Sequence, residues 1–289
     1  MVPFTYYQYF DNLDDERRLL LLRECCDNGA TNLVLTEALL KGLAGVPGLR
    51  KTLKKQINDC GITFIDAHSP FGPESDLMLP DDMRSLGLAR QMLTLELVHD
   101  FGVKTCCFHL GNAPSFPEYS LDQLRSFICK TLEKLLKRAE ELDIIICIEN
   151  VFKPLNTVSE INGFIKKFDS PHLGVCYDAG HANIMENGMK FPDSRPWGQW
   201  ENRGDVEWEH NVLEQLLPHI VICHLHDNDA AQDQHNLPGN GTIDWQKTLT
   251  LLRQAPRLTS MQSEVIVPRN GGFSIRRLVD TWNDYLSRY

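Results

Sequence analysis

Short apolar runs alternating with longer amphipathic stretches are what most limits the folds open to this chain. Eight runs read as strands: Phe4–Tyr9, Asn32–Thr36, Thr63–His68, Lys104–His109, Ile144–Glu149, Gly174–Asp178, Ile220–His226 and Gln262–Val267. The stretches between and after them read as helices: Leu13–Cys26, Leu49–Cys60, Asp82–Phe101, Leu121–Leu142, Thr157–Phe168, Val206–Leu217, Trp245–Gln254 and Ser274–Arg288. Ser120 and Asp244 stand where a side-chain oxygen would cap a helix start, and Gly29, Gly61 and Gly102 stand where helices hand over to strands. Eight strand–helix units predict a closed parallel β/α barrel rather than an open sheet, and no GxGxxG or Walker-type loop speaks for the open form. The 289 residues give units of about 36 each, so one domain over residues 1–289 is expected. One long insertion, Ile184–Asp205, follows the sixth strand and carries Trp197 and Trp200.

Composition narrows the partners. No apolar run approaches the roughly 20 residues needed to span a bilayer. The start, Met1 to Gln8, has neither a basic cluster nor a long apolar stretch, so a cytoplasmic location is expected. The nine cysteines are odd in number, and the adjacent pairs Cys25-Cys26 and Cys106-Cys107 lack CxxC spacing, which predicts reduced, mostly packed thiols. A formal charge of −10 argues against a nucleic-acid partner, although bound cations would reverse the sign locally.

In a parallel barrel the reactive groups come from the carboxyl ends of the strands. Six of the eight predicted strands end there on a carboxylate or imidazole: His68, His109, Glu149, Asp178 with His181 just beyond it, His224 and Glu264. One such histidine is ordinary, since buried polar groups are usually just hydrogen-bonded. Six together at one opening are not, because each uncompensated buried charge costs several kcal/mol. A divalent metal centre is the simplest compensation. Asp233 and His235, two apart in the loop after the seventh strand, would point the same way in an extended segment. Glu149, Asp178, Asp233 and Glu264 bring four negative charges, which two divalent ions would balance. His226 faces the side of His224, as a further ligand or as a hydrogen-bond partner of one.

Pro238-Gly239-Asn240-Gly241-Thr242-Ile243-Asp244-Trp245, with Ile148-Glu149-Asn150, Asp178-Ala179-Gly180-His181 and the HLHD stretch from His224, resembles the sugar phosphate isomerase/epimerase superfamily, which also contains endonuclease IV. The resemblance runs from the second strand to the last and implies a xylose isomerase-like TIM barrel. Its epimerase branch implies one divalent ion, usually Mn²⁺, Mg²⁺ or Co²⁺, held by Glu149, Asp178, His224 and Glu264. Glu149 and Glu264 would also be the catalytic pair, moving a proton through an enediolate on opposite faces of a sugar or sugar phosphate. His181 resembles a substrate-contacting histidine of the epimerases. Their arginine shortly after the metal histidine has no counterpart: Asp227-Asn228-Asp229 stands there, and no arginine follows before Arg253.

The endonuclease branch implies something else, three zinc ions on nine ligands. His68, His109, Glu149, Asp178, His181, His224, Asp233, His235 and Glu264 supply a matching residue type for each. One to three ions are therefore open, with His68, His109, His181, Asp233 and His235 as ligands or substrate contacts. Against abasic DNA stand the acidic loop Ser69 to Asp76, where only Phe71 could wedge a duplex, and Thr36–Gly48, whose only cation is Lys41. Lys153 and Arg269 are candidate phosphate contacts; Asn112, Asn150 and Asn183 are candidate hydroxyl contacts; Trp197 or Trp200 is a candidate lid. The expected function is a metal-dependent sugar or sugar-phosphate isomerase or epimerase, possible as a homo-oligomer. The alternatives are a multi-zinc phosphodiesterase acting on abasic DNA and a barrel that binds sugar without turnover.

Overall fold

The computed structural model describes residues 2–267 and 272–289. Eight strands close into a parallel barrel in chain order: β1 Phe4–Tyr6, β2 Asn32–Leu35, β3 Thr63–His68, β4 Thr105–Phe108, β5 Ile145–Glu149, β6 Leu173–Asp178, β7 Ile220–Leu225 and β8 Ser260–Ser263. β1 pairs with β8, Tyr6 opposite Ser263, and that pairing shuts the ring. Around it run α1 Asp15–Asp27, α2 Glu37–Gly45, α3 Leu49–Cys60, α4 Asp81–Asp100, α5 Leu121–Leu142, α6 Val158–Phe168, α7 Ala179–Asn187, α8 Arg195–Trp200, α9 Val212–Leu216, α10 Trp245–Leu252 and α11 Ile275–Arg288. This is the expected eightfold fold.

The expected capping is present. Ser120 and Gln123 form a reciprocal capping box on α5, and Asp244 accepts the Lys247 N–H at 3.0 Å to start α10. The apolar faces of the helices meet the outward side chains of the strands in one continuous core that includes Leu33, Phe108, Ile146, Val175 and Trp282. Inside the barrel the period-2 alternation of a strand puts Asp66 below His68, Cys107 below His109, Cys147 below Glu149, and Cys176 below Asp178. Cys107, Cys147, Cys176 and Ile222 pack together with no exposure, so the lumen beneath the strand ends is filled. All nine cysteines are free thiols, as their spacing predicts.

Several boundaries differ from the sequence reading. β1 ends at Tyr6 rather than Tyr9, and β8 runs Ser260–Ser263 rather than Gln262–Val267, because its pairing with β1 and β7 fixes it two residues earlier. Glu264 therefore sits just past the strand end. The helix expected over Val206–Leu217 shrinks to α9, since Asn211 is left-handed (φ 53°) and breaks it. The Ile184–Asp205 insertion is not irregular throughout: it contains the end of α7 and all of α8. Among the described residues no helix is long and apolar enough to cross a membrane.

Candidate metal centre

Asp178 shows how local sequence builds the site. It closes β6 and at once caps α7, its Oδ1 accepting the His181 N–H at 2.6 Å. The three-residue spacing thus returns the His181 ring to the same opening as Asp178, with His181 Nδ1 3.5 Å from Asp178 Oδ1. Gly180 lies between because nothing larger fits: a Cβ there would stand 2.0 Å from Cε1 of His226. Asn150, placed in the sequence as a sugar contact, is spent on this junction. Its amide donates to the Asp178 carbonyl at 2.9 Å and accepts the Asp178 N–H at 2.8 Å.

Glu149 is the hub. His109 Nε2 is 2.9 Å from its Oε2, and His181 Nδ1 and His224 Nδ1 are 3.2 and 3.6 Å from its Oε1. His68 Nε2 is farther, at 3.9 Å. His224 Nδ1 is also 3.2 Å from Glu264 Oε1 and 3.9 Å from Asp178 Oδ2. A second group adjoins the first: His235 Nε2 is 3.2 Å from Asp233 Oδ1, and His226 Nε2 is 3.2 Å from Asp178 Oδ2. The rings of His226 and His235 stack at 3.8 Å. All nine residues named for one to three ions therefore meet in one place, with His226 as a tenth. The thiol of Cys107, indistinguishable by sequence from the other packed cysteines, reaches Glu149 Oε2 at 3.2 Å.

Two features fit divalent cations. His68 and His235 each place Nδ1 on a main-chain carbonyl, Ser69 at 2.9 Å and Glu264 at 2.7 Å, which orients Nε2 into the pocket in the manner of a metal ligand. His224 is wholly buried, yet neither ring nitrogen makes a hydrogen bond, and Asp233 Oδ1 is likewise buried without one. Native proteins rarely leave such atoms unsatisfied, and a cation would satisfy them. His, Asp and Glu ligands in groups of three, and one group of four in which Cys107 joins His68, Glu149 and His224, are suited to borderline ions such as Zn²⁺, Mn²⁺ or Co²⁺.

The electrostatics are uneven. Burial would raise the carboxyl of Glu149, but the imidazoles of His109 and His224 hold it well below its usual range. Burial raises Glu264 to about 7 against the pull of His224. His68 is pushed down to about 4 by burial and by the neighbouring His109.

A cavity of about 370 Å³ opens above these groups, within the size range of small-molecule sites. Tyr7, Tyr9, Glu37 and Phe71 form part of its wall, with Phe71 stacked on His109 at 4.4 Å. Lys153, Arg195 and Gln199 line it as well. Lys153 was singled out in the sequence; Arg195 and Gln199 were not, because they stand in the insertion far from any motif. The other candidates lie elsewhere. Trp197 is exposed, donates Nε1–H to the Phe191 carbonyl at 2.9 Å and packs on Trp208, while Trp200 is buried in the core, so neither forms a lid over the cavity. Asn112 donates to Ser115, and Asn183 donates to Asn228 and Thr242. Arg269 lies outside the described residues. Where the epimerase arginine was missing, Asp227 instead holds the next loop, accepting from Gly239 N–H at 2.8 Å and Trp245 Nε1–H at 2.9 Å.

Residues 35–262 match the family described as xylose isomerase-like TIM barrel. An uncharacterized protein of Methanocaldococcus jannaschii is 23% identical over 194 residues, 66% of this chain and 60% of that protein. A protein of Mycoplasmopsis agalactiae described as a probable endonuclease 4 is 26% identical over 145 residues, 49% of this chain and 46% of that protein. This chain thus spans less than two thirds of the length of either relative. Among solved structures, a D-tagatose 3-epimerase-like protein superposes with a TM-score of 0.73 at 18% identity, over 100% of this chain and 98% of that one.

Proposed function

This chain belongs to the xylose isomerase-like TIM barrel family, and on that premise we propose that it is a divalent-metal-dependent isomerase or epimerase of a small polyhydroxy ketose. One observation carries the reading. Glu149 and Asp178, at the ends of β5 and β6, and Glu264, just past the end of β8, all approach the same nitrogen of His224, at 3.6, 3.9 and 3.2 Å. Those four residues would hold the ion, which when bound supplies Lewis acidity next to a substrate carbonyl. Glu149 and Glu264 would exchange the proton on the adjacent carbon, one removing it and the other returning it. The structural likeness to a D-tagatose 3-epimerase-like protein supports the same chemistry.

A second reading has its own observation. The further group of His226, Asp233 and His235 exceeds what a single ion requires, and it favours a multi-zinc phosphodiesterase, the activity that the name of the Mycoplasmopsis relative suggests. Metal stoichiometry, solvent-deuterium incorporation into a panel of ketoses, and cleavage of abasic DNA decide between them. The isomerase reading expects metal-dependent deuterium incorporation that falls by about 10²–10⁴-fold in Glu149→Gln and in Glu264→Gln. No incorporation with any ketose, together with metal-dependent cleavage of abasic DNA, overturns it.

A further inference from the structure

Most lysines and arginines with settled partners in this protein sit on carboxylates: Arg125 on Glu160 at 2.8 Å, Arg138 on Glu96 at 2.6 Å, Lys247 on Glu214 at 2.7 Å. Lys153 and Arg195 differ. Both line the cavity over the metal centre, and among the described residues neither enters an ion pair. Lys153 leaves β5 four residues after Glu149 and is half-buried. Burial lowers its ammonium pKa, the charges of Asp76, Glu149 and Asp233 oppose that in part, and Arg195 adds a smaller push downward. The guanidinium of Arg195, at the first position of α8, lies 5.9 Å from the ring of Phe152. Gln199, one helical turn on, shares its face, and its buried amide oxygen has no hydrogen-bond partner.

Two like charges facing one cavity, one of them partly desolvated, are an unfavourable arrangement in the free protein. The acids nearby relieve it only in part, because none is in an ion pair with Lys153 or Arg195 and, of the three, Glu149 and Asp233 would be shared with cations in the loaded site. An anion arriving with the ligand would relieve it. Chemically the pair suits a tetrahedral or planar oxyanion: the arginine fork can donate two parallel hydrogen bonds, and the lysine adds a point charge. The free oxygen of Gln199 is placed to accept from a neighbouring hydroxyl.

We infer that Lys153 and Arg195 form an anion subsite, so that the ligand is a polyhydroxy compound bearing a phosphate or carboxylate at the end away from the metal-held carbons. This rests on the proposed isomerase reading for the reacting end of the ligand and adds the group at its other end.

The test is calorimetric titration of the metal-loaded protein with three polyols that have no carbonyl to react: D-arabinitol, D-arabinitol 5-phosphate and D-arabinonate. The wild type is expected to bind one of the anionic polyols roughly ten- to a hundredfold more tightly than arabinitol. A preference for the phosphate identifies a sugar phosphate ligand, and a preference for the carboxylate a sugar acid. The Lys153→Met/Arg195→Gln double variant should lose the preference while keeping its metal content and its affinity for arabinitol, and Lys153→Arg should retain it. Equal binding of the three polyols by the wild type overturns the subsite. So does a preference that survives in the double variant, since the anion would then sit on the metal. Deuterium incorporation into ketoses remains a separate readout. Anion selectivity without incorporation overturns the reaction and leaves the subsite, and incorporation without selectivity does the reverse.

Discussion

Two levels of the same barrel lumen, one strand repeat apart, treat buried polar groups in opposite ways. At the lower level Asp66 is fully buried, and its Oδ2 accepts from Ser260 Oγ at 2.7 Å and Thr5 Oγ1 at 3.3 Å, with the packed thiols of Cys107, Cys147 and Cys176 in the same lumen. At the upper level His224 is just as buried, and neither of its nitrogens has a hydrogen bond. Burial is equal; satisfaction is not. A buried polar group whose hydrogen bonds come from its own neighbours is part of the scaffold, whereas one that stands among carboxylates at 3.2–3.9 Å without a hydrogen bond has the arrangement that a shared cation would complete.

Removing the metal should affect the two levels most unequally. An ion present at a hundredfold above its Kd adds about 3 kcal/mol to the stability of the native state, and two ions roughly 5 kcal/mol. His224→Ala should abolish most of that metal-dependent gain in urea unfolding, read as the difference between the metal-loaded and metal-free forms of the same variant. Equal metal-dependent stabilisation in the variant and the wild type would break the contrast.

A partly buried carboxyl outside the lumen sharpens it. Glu209 accepts the Val158 N–H at 2.6 Å at the start of α6, and burial raises its carboxyl to about 7 despite that bond. The unfolded chain has an ordinary carboxyl near 4.3. The folded protein therefore binds the proton more tightly, so this contribution is full below about pH 4.3 and is lost as the pH rises through about 7. Relative to wild type, Glu209→Gln should gain up to about 3 kcal/mol between those limits, with metal content unchanged. Parallel stability curves for the two proteins from pH 4.5 to 7.5 would remove this group from the scaffold class.

The smallest effect is expected at the lower level itself. Asp66→Asn keeps an acceptor for Ser260 and should change stability by only about 1 kcal/mol, equally with and without metal. A loss of bound metal in that variant would show that the two levels act as one unit.

The sequence disclosed the upper level well because its side chains are set by strand period and by short spacings: Asp178 to His181, Asp233 to His235. Only His224 had to be weighed against His226, and the structure brings both into the cluster. What the sequence hid depends on contacts between distant segments. α2, Glu37–Gly45, is short and carries two glycines, so its periodicity is weak. α8 has six residues with a proline near its start, and it is held where the Arg195 N–H meets the Ala231 carbonyl at 3.0 Å. Nothing local announces that this turn brings Arg195 to the cavity while sending Trp197 away from it. The end of β8 was misplaced for a similar reason: Ser260-Met261-Gln262-Ser263 has little strand propensity of its own, and its neighbours on both sides decide the register.

The filled lumen also governs traffic. With Cys107, Cys147, Cys176 and Ile222 closing the way from below, an ion held by the proposed ligands and a ligand in the cavity above it would come in from the same side. The ion would then have to enter before the ligand, and a seated ligand would stand between the ion and bulk water. Loading would be ordered, with exchange of the deeper partner slowest when the shallower one is abundant.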